Sequence, residues 1–189
     1  MTRRLFHWLT CGLLALLAHL PLVAQANNID ITQARIEAGD TGYRLAASFQ
    51  FDLNRGLEEA LARGIPLYFT TEVELSRPRL FWFAERSIFV KQTTRVSYNV
   101  LTRQYNASVI GSLQQNYRTL DDALSLVKRP MRWNVADYGE LVAGETYTAS
   151  VRIMLDVSQL PKPFQVNAIN NRNWRLSSDW KQFSFTADK

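Results

Sequence analysis

From Tyr43 to Leu53 an apolar side chain recurs at every second position: Tyr43, Leu45, Ala47, Phe49, Phe51 and Leu53. That period of two belongs to a strand with one face buried, since a helix would bring apolar residues round every 3.6 positions. Ile29, Ile31 and Ile36 place a strand before it, with Gly39-Asp40-Thr41-Gly42 as the turn. Leu67, Phe69, Thr71, Val73 and Leu75 repeat the pattern. Further strands are expected over residues 88–101, 105–113 and 147–156, the last turning Tyr147, Ala149, Val151, Ile153 and Leu155 inward. Two short helices interrupt the strands. One spans residues 55–63, with Asn54 as N-cap and Gly64 beyond its end; the other spans 120–129, capped by Thr119 and stopped by Pro130. Near the C-terminus, Trp174, Leu176 and Trp180 fall on one parity and Phe183 and Phe185 on the other, which calls for a bulge or turn near Ser178-Asp179. Pro161-Lys162-Pro163 reads as an extended connection. The expected fold class is all-β, mainly antiparallel: a β-sandwich or open barrel with two short helices.

The first 26 residues follow a different rule. Arg3-Arg4 precedes an apolar run from Leu5 to Val23, and Ala24-Gln25-Ala26 closes it. This is the order of a secretory signal peptide, with cleavage expected after Ala26. An uncleaved anchor is the competing reading. A bilayer span needs about 20 apolar residues, and His19 and Pro21 interrupt this run. Thr2-Arg3-Arg4-Leu5-Phe6 resembles a twin-arginine signal, but His7 and Trp8 depart from that pattern, so Sec-type export is favoured. The expected location is the periplasm, with residues 27–189 as a single β-rich domain.

Removing that segment deletes the one cysteine, Cys11, and both histidines, His7 and His19. Arg3 and Arg4 leave too, so 20 basic residues face 17 acidic ones and the net charge is +3. Without cysteine the remaining chain forms no disulfide, and its stability rests on packing. The positive charge is dispersed, which argues against nucleic acid as a partner. A His-based triad, a thiol nucleophile and an ordinary zinc site are all excluded from residues 27–189. No cofactor is expected.

The paired acids Glu58-Glu59 and Asp121-Asp122 fall in first helical turns, where the helix dipole favours negative charge, and neighbours on a helix do not face one another as glycosidase carboxylates must. Asn106-Ala107-Ser108 matches a glycosylation acceptor, incidental in a bacterial setting. A more informative segment is Arg77-Pro78-Arg79-Leu80-Phe81-Trp82-Phe83. In an extended strand Phe81 and Phe83 face one way and Leu80 and Trp82 the other, and Pro78 suggests an edge position. Exposed, these aromatics with Arg77 and Arg79 form a candidate surface for a partner or an apolar ligand. The competing reading buries both faces, one under a sheet and one under a helix. Arg103, at a hairpin tip over residues 101–104, is a further exposed candidate.

Four stretches taken together carry a resemblance: Ser97-Tyr98-Asn99-Val100-Leu101-Thr102-Arg103-Gln104-Tyr105, Thr119-Leu120-Asp121-Asp122-Ala123-Leu124, Leu160-Pro161-Lys162-Pro163-Phe164-Gln165-Val166 and Trp174-Arg175-Leu176-Ser177-Ser178-Asp179-Trp180. In this order, behind a signal peptide, the chain resembles a family of exported proteobacterial proteins classed as domain of unknown function DUF4390. The resemblance spans nearly all of residues 27–189 and implies a Gram-negative, envelope-associated protein. It implies no activity and no site residues. The leading expectation is a non-catalytic module that binds an envelope or inner-membrane protein. The alternatives are a carrier or sensor of a hydrophobic or glycan ligand, and a carboxylate-dependent cell-wall hydrolase.

Overall fold

The alternating segments become strands. The computed structural model describes residues 28–77, 88–130 and 133–188; the expected signal peptide, residues 1–26, lies outside the described residues. Strands β1 (Asp30–Ala38) and β2 (Gly42–Gln50) lead into helix α1 (Arg55–Ala62), and β3 (Leu67–Ser76), β4 (Ile88–Asn99), β5 (Gln104–Val109) and β6 (Gln115–Tyr117) follow. Helix α2 (Leu120–Lys128) precedes β7 (Trp133–Asp137) and β8 (Thr146–Leu155). Helix α3 (Lys162–Asn170) lies between two 3-10 turns, Val157–Gln159 and Arg172–Trp174, and β9 (Lys181–Thr186) ends the fold. Among the described residues no helix is long and apolar enough to cross a membrane.

Two antiparallel sheets face each other, one in the order β1-β2-β7 and the other β6-β5-β4-β3-β8-β9. The architecture is sandwich-like and does not close into a barrel. Tyr43, Leu45 and Phe49 of β2 face inward from the small sheet, and Phe69, Val73, Leu75, Val151 and Ile153 from the large one. Aromatic contacts cross the gap: the Tyr43 and Phe185 rings lie 6.0 Å apart, and those of Phe51 and Phe69 5.5 Å apart. Helix α2 packs Ala123, Leu124 and Val127 into the core, with Thr119 Oγ1 accepting the Asp122 N–H at 3.2 Å as its cap. Asp121 and Asp122 occupy its first turn, where the helix dipole holds them.

Three local readings change. The strand expected over residues 105–113 stops at Val109, because Ser112 N–H donates to the Val109 carbonyl in a turn through Gly111 at φ +88°. Pro161-Lys162-Pro163 opens helix α3: proline is tolerated in a first turn, where backbone N–H groups have no helical partner. The parity break before β9 is a crossing point, not a bulge. There Ile29 N–H donates to the Ser177 carbonyl, and Ser178 exchanges backbone and side-chain hydrogen bonds with Ile153, joining β1 to β8.

Gly42 shows how closely β2 and β7 approach. A methyl group there would collide with the Ala136 carbonyl oxygen and lie 2.9 Å from Asn134 Oδ1. Gly42→Ala is expected to lower the stability measured by urea unfolding by about 1–3 kcal/mol through overpacking. An unchanged midpoint would contradict this close pairing.

Candidate functional site

The loop chemistry at one end of the sandwich builds a groove. Asn54 caps α1 by accepting the Leu57 N–H on Oδ1 at 3.1 Å. Its Nδ2 donates to the Asn173 carbonyl at 2.6 Å, tying α1 to the 3-10 turn that follows α3. The other end of α1 closes in a Schellman motif. Ile65 N–H donates to the Ala60 carbonyl and Gly64 N–H to that of Leu61. Gly64 supplies the left-handed residue, at φ +82°, and the motif sets Ile65 against Ala60. Helix α3 is held back on its own lead-in by Gln165 Nε2, which donates to the carbonyls of Ser158 and Leu160 at 2.8 and 2.7 Å.

Between α1 and α3 lies an open groove of about 670 Å³. Ala60, Ile65, Phe164, Val166 and Trp174 supply its apolar lining, and Arg63 and Arg172 stand at its sides. A methyl group on Gly64 would lie 3.9 Å from Val100 Cγ2, so the β4–β5 hairpin tip adjoins the groove. Asn99 Oδ1 shapes that tip by accepting the N–H groups of Leu101 and Thr102. Leu101 is 93% exposed, Val166 65% and Val100 57%. Arg103 holds a left-handed φ of 55° on the same tip, a conformation that costs a residue with a Cβ about 1–2 kcal/mol.

The charges at this end do not cancel internally. Glu59 is engaged by Arg55 at 2.9 Å. Among the described residues, no carboxylate pairs with Arg63, Arg103 or Arg172.

The sequence-derived candidates separate. Arg103 lies on the hairpin tip whose Val100 approaches Gly64, while Arg77 lies beyond the far end of β3, 3.7 Å from Glu145. The twelve residues of β4 set those ends about 36 Å apart at ~3.3 Å per residue. Arg79, Phe81, Trp82 and Phe83 lie outside the described residues. Sequence reading misses the groove because Trp174 reads as part of the C-terminal alternation and Pro161-Lys162-Pro163 as a connection, which leaves Phe164 and Val166 without an element. The cap signal at Asn54 and the C′ glycine at Gly64 were the clues to its near wall.

A second crevice, of about 460 Å³, brings Asp30 and Asp179 together with Trp180 and Lys181. Both aspartates are exposed to solvent, unlike the desolvated acid of a glycosidase pair.

The family model described as Domain of unknown function (DUF4390) matches residues 26–184. The chain belongs to this family. The matched span contains both helices that wall the groove and the hairpin tip beside it. No curated protein and no solved structure matches the chain.

Under α1 of this DUF4390 chain, the Tyr98 and Tyr105 rings pack 4.8 Å apart. Burial, then the Tyr98 phenol and the Glu58 carboxylate, push the Tyr105 phenol above its ordinary value of 10.0. The folded state thus holds the neutral phenol more tightly than the unfolded chain does. Its contribution to stability is full below the unfolded value and is lost as pH rises through the folded one. Urea midpoints should therefore fall more steeply above about pH 10 in the parent than in Tyr105→Phe. Equal slopes would remove Tyr105 as the source.

Proposed function

We propose that the chain is an exported, non-catalytic binding module of the cell envelope, and that its helix-walled end docks a protein partner. The observation that carries this reading is a groove lined by both apolar and guanidinium side chains, with a hairpin tip that brings Val100 up to Gly64 and leaves Val100 and Leu101 exposed. Arginine and large apolar anchors in recesses carry much of the energy at protein interfaces. The groove's lining supports the non-catalytic reading: it is aliphatic, aromatic, amide and guanidinium apart from one carboxylate, Glu59, which pairs with Arg55.

Export through a Sec-type signal to the periplasm belongs to the same proposal. Two observations support it. The family match begins at residue 26, and Asn28, two residues past the expected cleavage site, already bridges Ser177 in the folded domain. Cleavage after Ala26 would retain every described strand and helix.

A carrier of a hydrophobic or glycan ligand draws less support. Tyr43, Phe49, Phe51 and Phe69 fill the space between the sheets where an enclosed ligand would sit.

The test is recovery of partners from the host envelope with the tagged protein after mild crosslinking. Leu101→Asp should leave the fold intact, as an exposed substitution, and reduce a recurrent protein partner by about 30-fold, the loss expected of a ~2 kcal/mol anchor. Leu113→Asp, an equally exposed site away from the groove, should not. Loss with neither variant would place the docking surface elsewhere.

A further inference from the structure

We infer that the occupant of the groove is a short acidic, amphipathic segment of a protein partner, with one or two apolar side chains set between Asp or Glu residues. This rests on the docking reading above and adds the chemistry of what docks. The floor is apolar, formed by Ala60, Ile65, Phe164 and Trp174. The charge beside it is predominantly positive: two guanidinium groups line the groove against one carboxylate, Glu59, which Arg55 engages. Arg63 and Arg172 stand at the groove and Arg103 on the adjoining tip, none of them paired among the described residues. Of the acids on α1, Glu59 faces Arg55 and Glu58 acts on Tyr105.

An apolar segment seated here strips water from the guanidinium groups beside it. A neutral or basic segment would leave those charges desolvated and unmatched, which disfavours binding. Carboxylates flanking the apolar anchors would meet them with forked, charge-assisted hydrogen bonds, the geometry that guanidinium groups suit. The recess selects against a lipid surface. A bilayer accepts protruding apolar side chains, whereas Phe164 and Trp174 line a trough between two helices, and Trp174 is buried. A single peptide segment fits such a trough as a helix or strand fits a groove.

The experiment places the photo-crosslinking residue p-benzoylphenylalanine at Val166 in the full chain, expressed in its own host and irradiated in intact cells. The expected result is a protein adduct whose crosslinked partner peptide is rich in Asp or Glu around apolar residues. Arg63→Glu with Arg172→Glu should lower the adduct yield at least about tenfold, while Arg63→Lys with Arg172→Lys retains most of it. Thermal unfolding of each purified variant separates a lost fold from a lost contact, and Arg103→Glu, on the hairpin tip, gives an independent reversal outside the helices. A protein adduct with a neutral or basic peptide, or one whose yield survives both sets of charge reversal, overturns the acidic occupant and leaves the docking reading standing. Phospholipid adducts alone, or no adduct from Val166 or from the same residue at Leu101, overturn both.

Discussion

Burial of the inner row of β3 is the contact on which the rest of the structure depends. Leu67, Phe69, Val73 and Leu75 are each 1% exposed or less, and complete burial of such side chains contributes ~1.5–3 kcal/mol apiece. The strand carrying them is paired on both edges, with β4 from Leu67 to Leu75 and with β8 from Phe69 to Ser76. Residues 27–189 hold no cysteine, so this packing has no covalent substitute. It also fixes the site. Helix α1 ends at Ala62 and β3 begins at Leu67, which leaves the Schellman turn little freedom in where it puts Ile65. Asp156 N–H donates to the Tyr68 carbonyl at 2.7 Å, so the chain leaving β8 toward α3 starts from β3 as well. Both walls of the groove are thus hung from one strand.

That dependence explains which parts of the fold were legible in the sequence. Alternation at Tyr43–Leu53, Leu67–Leu75 and Tyr147–Leu155 reports burial on one face, and burial is what made β2, β3 and β8. The caps Asn54 and Thr119 report local hydrogen bonds and mark the starts of α1 and α2. Short edge strands lack such a signal. β6 has three residues, two of them exposed, and is held by its pairing with β5. β7 follows Pro130 and is defined by its approach to Gly42 on a strand some ninety residues earlier in the chain. Helix α3 escaped for a similar reason. Pro161 offers no side-chain cap, and the helix is held by contacts the sequence does not display: Gln165 on its lead-in, and Phe164 and Ala168 on the core.

The candidate site was legible in one residue and hidden in the others. Arg103 stood out as an exposed loop position, and its left-handed backbone adds a reason to notice it: this chain carries a long cationic side chain where glycine or asparagine would fit with less strain. The two arginines that line the groove come from segments about 40 and 70 residues away in the chain, Arg63 just after α1 and Arg172 after α3. Only the fold brings them to one end. The same β4 that ends at the hairpin tip of Arg103 separates it from Arg77 by the strand's whole length.

One cluster on the remaining exposed surface offers an electrostatic contrast to the groove. On the outer face of the large sheet, Glu72 on β3 receives the Arg152 guanidinium from β8 at 2.6 Å. Arg152 in turn stacks 4.5 Å over the Trp180 ring. One strand over, Thr70 and Thr93 share a hydrogen bond at 2.8 Å. These groups satisfy one another, so a partner would have to displace good contacts to gain new ones. At the helix-walled end the apolar floor and the guanidinium groups beside it have no such internal solution. A surface that answers its own charges behaves as a solvated face, whereas open guanidinium groups near exposed apolar side chains such as Val166 are the arrangement on which the docking proposal rests.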